Sequence, residues 1–145
     1  MRKLEALCRR FGSQSDARWW VGERPPGDPS HIPPAIARKV GLPTSALDDV
    51  AGALTPLSRR DAGRIFAVAG TTSLAYDQPT PGANALDAAR DALDDLGDDA
   101  AFLSNGPWRP DAPTGWNPLT LATFDCGLIG FDRRSAFIFW VEDED

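Results

Sequence analysis

The sequence predicts one α+β domain, in which several short N-terminal helices pack with a small C-terminal antiparallel sheet that ends in a β-hairpin. Three observations carry that expectation. Its 145 residues suit a single domain able to bury a core, so residues 1–145 are read as one unit. As far as Gly97, apolar residues recur at helical spacing in short segments punctuated by glycine and proline. From Thr120 onward the chain turns to β-forming residues broken by one polar turn.

Leu4, Leu7, Cys8 and Phe11 give a helix over 2–11, stopped by Gly12. Arg18–Val21, with Trp19 and Trp20, reads as a short strand. Residues 22–34 hold five prolines and read as an irregular connection. Pro33 and Pro34 open a helix carrying Ile36, Ala37 and Val40 to Gly41. Ser45 and Asp48 form a capping-box pattern ahead of Leu47, Val50, Ala51 and Leu54. Thr55 as cap, with Pro56 at the first helical position, predicts a third helix closing at Gly70. Residues 71–83 read as a short extended piece and a loop. Asn84 predicts the cap of a helix over 85–96, striped by Leu86, Ala89, Leu93 and Leu96 and ended by Gly97. Residues 104–118 read as an ordered loop holding Trp108 and Trp116. Thr120–Phe131 and Ala136–Val141, joined by the polar turn Asp132–Ser135, predict the hairpin. The apolar run Phe137-Ile138-Phe139-Trp140 predicts a central strand buried on both faces.

The composition argues against most catalytic chemistries. One histidine, His31, disfavours most metal sites and Ser/His/Asp or Cys/His machinery. Cys8 lies on an apolar helix face and Cys126 in a predicted strand beside Asp125, so both read as buried, inert thiols. Asp98/Asp99 and Glu142–Asp145 are carboxylate clusters at element ends, without a calcium-loop pattern or a closed cavity around them. No phosphate-binding loop or nucleophile elbow is written in the chain. The expectation is a protein that is not an enzyme and uses no cofactor or metal. No apolar run spans a membrane and Met1–Gly12 lacks a secretory signal's apolar stretch, so the expected compartment is the cytoplasm.

Charge is divided along the chain. Residues 1–70 carry 11 Lys/Arg and 7 Asp/Glu, whereas residues 71–145 carry 4 Arg and 14 Asp/Glu. The acidic half repels nucleic acid and anionic membrane and attracts a basic surface. On the predicted helix, Asp87, Asp91, Asp94 and Asp98 follow i, i+4, i+7 and i+11, with Asp95 and Asp99 beside them and Arg90 as the one compensating charge. Like charges at this spacing, and acids at a helix C-terminus, each cost a few tenths of a kcal/mol. A basic partner would offset that cost. Two readings fit the row: a binding face, or a solvated one. Trp108 and Trp116 are candidate anchors beside it.

Residues 33–54 also have the helix, glycine turn and second helix of a helix-turn-helix, which gives a DNA-binding regulator as the alternative function. Asp48 and Asp49 stand at the exposed start of the second helix, where a recognition helix needs Arg, Lys, Gln or Asn.

Near the C-terminus, Trp116-Asn117-Pro118, Thr123-Phe124-Asp125-Cys126-Gly127-Leu128-Ile129-Gly130-Phe131-Asp132 and the ending Phe139-Trp140-Val141-Glu142-Asp143-Glu144-Asp145 resemble small bacterial immunity proteins of contact-dependent growth inhibition and related polymorphic toxin systems. The resemblance covers the last thirty or so residues. It implies a cytoplasmic inhibitor that binds one cognate toxin domain 1:1, often a basic nuclease such as a tRNase, and occludes its active site. On that reading Asp87, Asp91, Asp94, Asp95, Asp98 and Asp99 are partner contacts, Glu142, Asp143, Glu144 and Asp145 are secondary ones, and Trp108 and Trp116 are anchors. A nuclease groove is cationic, so carboxylates on a fixed scaffold suit it independently of the resemblance.

Overall fold

Leu4, Leu7, Cys8 and Phe11, spaced to share one helical face, are the four buried residues of α1 (Arg2–Gln14). They meet a five-stranded antiparallel sheet of order β1-β5-β4-β3-β2. A computed structural model of the chain describes residues 2–14, 17–42, 54–71, 81–105 and 124–143. In chain order the elements are α1, β1 (Ala17–Glu23), a single 3-10 turn (Pro29–His31), α2 (Ile32–Lys39), β2 (Thr55–Leu57), α3 (Arg59–Thr71), α4 (Ala83–Leu93), β3 (Ala101–Ser104), β4 (Phe124–Phe131) and β5 (Ser135–Asp143). The fold is α+β, with a hairpin of β4 and β5 at its C-terminal end.

The sheet is covered on both faces. Alternate residues of β5, Phe137, Phe139 and Val141, pack with Leu128 of β4 and Phe102 of β3 beneath α1, α3 and α4. The intervening Ala136, Ile138 and Trp140 pack with Ile129, Phe131 and the α2 residues Ile32, Ile36 and Ala37 on the other face. β5 is therefore buried on both sides, as its apolar run predicts. Two glycines of β4 make room for large partners across the strand pair. Gly127 lies opposite Trp140, and a Cβ there would collide with the indole and with the Phe139 carbonyl. Gly130 lies opposite Phe137 and leaves space for the rings of Phe137 and Phe102.

The ends of the helices follow local chemistry. Gly41, with φ of 69°, closes α2: Leu42 N–H reaches the Ala37 carbonyl at 3.2 Å and Gly41 N–H the Arg38 carbonyl at 3.1 Å. That is the double-bonded glycine stop expected of a helix C-terminus.

Several boundaries differ from the expectation. Thr55-Pro56-Leu57 does not open α3 but forms the edge strand β2, paired with β3. Pro56 is compatible with an edge, where a missing N–H costs little. The cap of α3 is Ser58, whose Oγ accepts the Asp61 N–H at 3.1 Å. β3 was not among the expected elements, and β1 makes the sheet more than C-terminal. α4 is capped at Gly82 rather than Asn84 and ends at Leu93 rather than residue 96. The Ser45/Asp48 helix, the extended piece around Tyr76 and the loop carrying Trp108 and Trp116 lie outside the described residues. For the helix-turn-helix pattern, the first helix is α2 and the second falls outside them. Among the described residues no helix is long and apolar enough to cross a membrane.

Candidate functional site

The acidic row predicted along one helix face is divided by the end of α4. Asp87 and Asp91 belong to the helix, whereas Asp94, Asp95, Asp98 and Asp99 follow it. The helix stops because the chain tightens into successive i→i+3 turns, with Asp94, Asp95 and Leu96 N–H bonding the carbonyls of Asp91, Ala92 and Leu93. Arg59, at the start of α3, reaches across to the carbonyls of this turn. Its guanidinium donates to Leu93 O at 2.7 Å, Gly97 O at 2.6 Å and, more weakly, Leu96 O at 3.4 Å. A cation at this point also meets the negative end of the helix dipole.

The turn brings the acids to one end of the molecule and divides their roles. Asp95 is half-buried, and its Oδ2 accepts the Leu4 N–H at 2.9 Å, capping α1 from outside that helix. Asp91 Oδ1 pairs with Lys3 Nζ at 3.2 Å, with both side chains more than half exposed. The Lys3 ammonium is held above its usual pKa, first by that hydrogen bond and the Asp91 charge, with Asp95 and Asp94 adding to it. Asp99 Oδ2 accepts the Arg133 N–H at 3.0 Å and lies 3.5 Å from its Nε. Asp132 completes the junction. Its Oδ2 accepts Gly97 N–H at 2.9 Å, and its Oδ1 accepts Arg134 N–H at 2.8 Å and Ser135 N–H at 2.7 Å. Burial works against the Asp132 carboxylate, but the three backbone bonds and the Arg133 charge outweigh it and hold its pKa below the usual range.

The carboxylates of Asp87, Asp94 and Asp98 are exposed and form no ion pair or side-chain hydrogen bond among the described residues. Asp94 and Asp98 are left to solvent at this end, and Asp87 about two turns back on α4. Arg90, the compensating charge of the sequence, lies with its stem over Gly63 of α3. Lys3, Arg59, Asp132 and Arg133 belong to the same end and were not foreseen, because only tertiary contact places them there.

Glu142 is elsewhere. It stands seven residues along β5 from Ser135, about 23 Å at the rise of a strand. Its Oε1 pairs with Arg18 Nε at 2.8 Å, and Arg18 Nη1 donates to the Val40 and Gly41 carbonyls that end α2. The tail and the acidic end are thus not brought together through Glu142. Asp143 closes β5, while Glu144, Asp145, Trp108 and Trp116 lie outside the described residues.

Cys8 and Cys126 are both buried and unbridged. Burial, with a smaller effect of Glu5, pushes the Cys8 thiol far above its usual pKa, so it carries no thiolate at neutral pH. Among the described residues, no three histidine, cysteine or carboxylate side chains converge as a metal's ligands would. No family model, characterised protein or solved structure matches the chain, so the reading of this acidic end rests on its own geometry and charge.

Proposed function

We propose that the protein is an immunity protein, an antitoxin that binds and neutralises a cognate basic toxin domain of a polymorphic toxin system by covering its active site with the acidic end of α4. The observation that carries this reading is the pair of exposed carboxylates Asp94 and Asp98 just past α4, where the helix dipole already adds negative potential, with exposed Asp87 about two turns back along the same helix. Asp91, Asp95 and Asp99 spend their charge partly within the fold and extend the same negative field. The field steers a cationic nuclease into encounter, and a fast encounter is what an antidote requires. The C-terminal resemblance to immunity proteins points the same way. The chain's own groups perform no chemistry in this role.

The test looks for a toxin domain in the neighbouring reading frames and pairs the chain with it. Co-production should protect a sensitive host from that domain. Association should slow as salt rises. Asp94→Lys with Asp98→Lys should slow association at low salt, flatten its salt dependence and remove protection. Both positions are exposed, and a lysine at Asp94 suits the helix end, so thermal stability should hold or rise slightly. No binding of the domain by the native chain contradicts the antitoxin role. Unchanged protection by the variant contradicts the assignment to this face.

A further inference from the structure

The two edges of the sheet are built differently. β2 is three residues long and carries Pro56, which has no N–H to offer an incoming strand. β1 runs for seven residues in unbroken register with β5, without proline or bulge. The strand is half-buried from Trp19 to Gly22, and its outward backbone groups have no hydrogen-bond partner among the described residues. Such a row is a template for another extended chain.

The surroundings of this edge are basic. On the face beneath α1, the Arg9 guanidinium lies over the Trp19 ring, 5.9 Å from its centroid. On the α2 face, the Lys39 ammonium lies over Trp20 at 5.3 Å. Arg18 stands near the start of β1 and Arg24 directly after it. Glu5 and Glu142 already pair with Arg9 and Arg18, and Glu23 ends the strand. Lys39 has no carboxylate partner among the described residues, whereas the Arg24 guanidinium turns inward over the Phe131 ring of β4, 5.7 Å from its centroid. A second copy of the chain would bring the same basic edge alongside and be repelled.

We infer that the outer edge of β1 is a docking edge for an extended acidic segment of another protein, which adds to the sheet as a sixth strand. Backbone hydrogen bonds to Ala17–Glu23 supply affinity, and carboxylates select the partner. Side chains of the added strand alternate between the face of Trp19 and Val21 and the face of Arg18 and Trp20. Carboxylates on the first face meet Arg9, and those on the second meet Lys39. The inference does not rest on the acidic end of α4.

The probe is a capped ten-residue peptide alternating glutamate and valine, added to the isotope-labelled full chain, with a lysine/valine peptide of the same pattern as control. The acidic peptide should shift the amide resonances of 17–23 and slow alternate amides there in hydrogen exchange. Arg9→Glu with Lys39→Glu should weaken binding about tenfold, the sum expected of two part-exposed charge contacts. Lys39→Glu alone, at an exposed residue, gives part of that loss and guards against a folding defect in the double variant. Asp94→Lys with Asp98→Lys should leave peptide binding unchanged, which separates this edge from the proposed toxin face. Absence of binding, equal binding of the lysine peptide, shifts centred on α4, or self-association of the chain through 17–23 each overturns the inference.

Discussion

The carboxylate of Asp95, two residues past the end of α4, accepts the backbone N–H of Leu4 in the first turn of α1. One acid therefore holds the start of a helix from which it is distant in sequence. Removing it leaves an orphan donor at the α1 N-terminus. Asp95→Ala should cost about 1 kcal/mol, the usual worth of an N-terminal cap. Urea unfolding at neutral pH measures it. Asp98→Ala, at an exposed acid with no such bond, should leave the midpoint within about 0.5 kcal/mol of the native value.

Gly127 faces Trp140 across the β4–β5 pair, and the nearest obstacle to a Cβ there includes the Phe139 carbonyl, which is backbone. The strand cannot yield without disturbing β5. Gly127→Ala should destabilise by about 3 kcal/mol or more, at the upper end for overpacking. Thermal unfolding followed by tryptophan fluorescence reports it, because Trp140 is fully buried. A loss below about 1 kcal/mol would contradict this packing.

Asp132 ties the turn after α4 to the hairpin turn through three backbone N–H groups. Its pKa is lowered in the folded chain, so its contribution is present above the ordinary carboxylate range, near 4. It is lost as pH falls through the lowered folded value. Asp132→Asn should reduce stability at pH 7 by about 1 kcal/mol, since the site is only part-buried. The gap between native and variant unfolding midpoints should narrow on going to acid of about pH 2.

The two cysteines, Cys8 and Cys126, are buried in one core. A water-soluble disulfide reagent at neutral pH should leave both untouched in the folded chain and modify both once denaturant is added. Rapid labelling of native protein would place one of them at the surface.

Much of the fold was legible where periodicity and packing agree. The four apolar residues that predict α1 are its four buried residues, and the apolar run of β5 is buried on both faces. Legibility failed where a local signal had two meanings. Thr55-Pro56 reads as a helix start, yet sheet pairing claims it, and the effective cap is Ser58 with Asp61 three residues on. Leu96 extends the helical stripe of α4, yet it is buried from a turn, because the chain past Leu93 tightens into i→i+3 bonds and the Gly97 N–H goes to Asp132 instead of back to the helix. β3 is only four residues long, and its identity comes from pairing with β4 and β2. The acidic end was legible as composition and illegible as geometry. Nothing local to Asp95 or Asp99 announces that their partners are Leu4 and Arg133.

β1 and β5 are neighbours in the sheet while standing near opposite ends of the sequence. A ribosome emits Trp19 and Trp20 long before Phe137 and Phe139 exist, so the early strand waits without its mate during synthesis. Closure of so long a loop is slow, and the waiting segment is open to proteases and to mispairing. Folding of this chain is accordingly expected to be a late, all-at-once event triggered by arrival of its final strand.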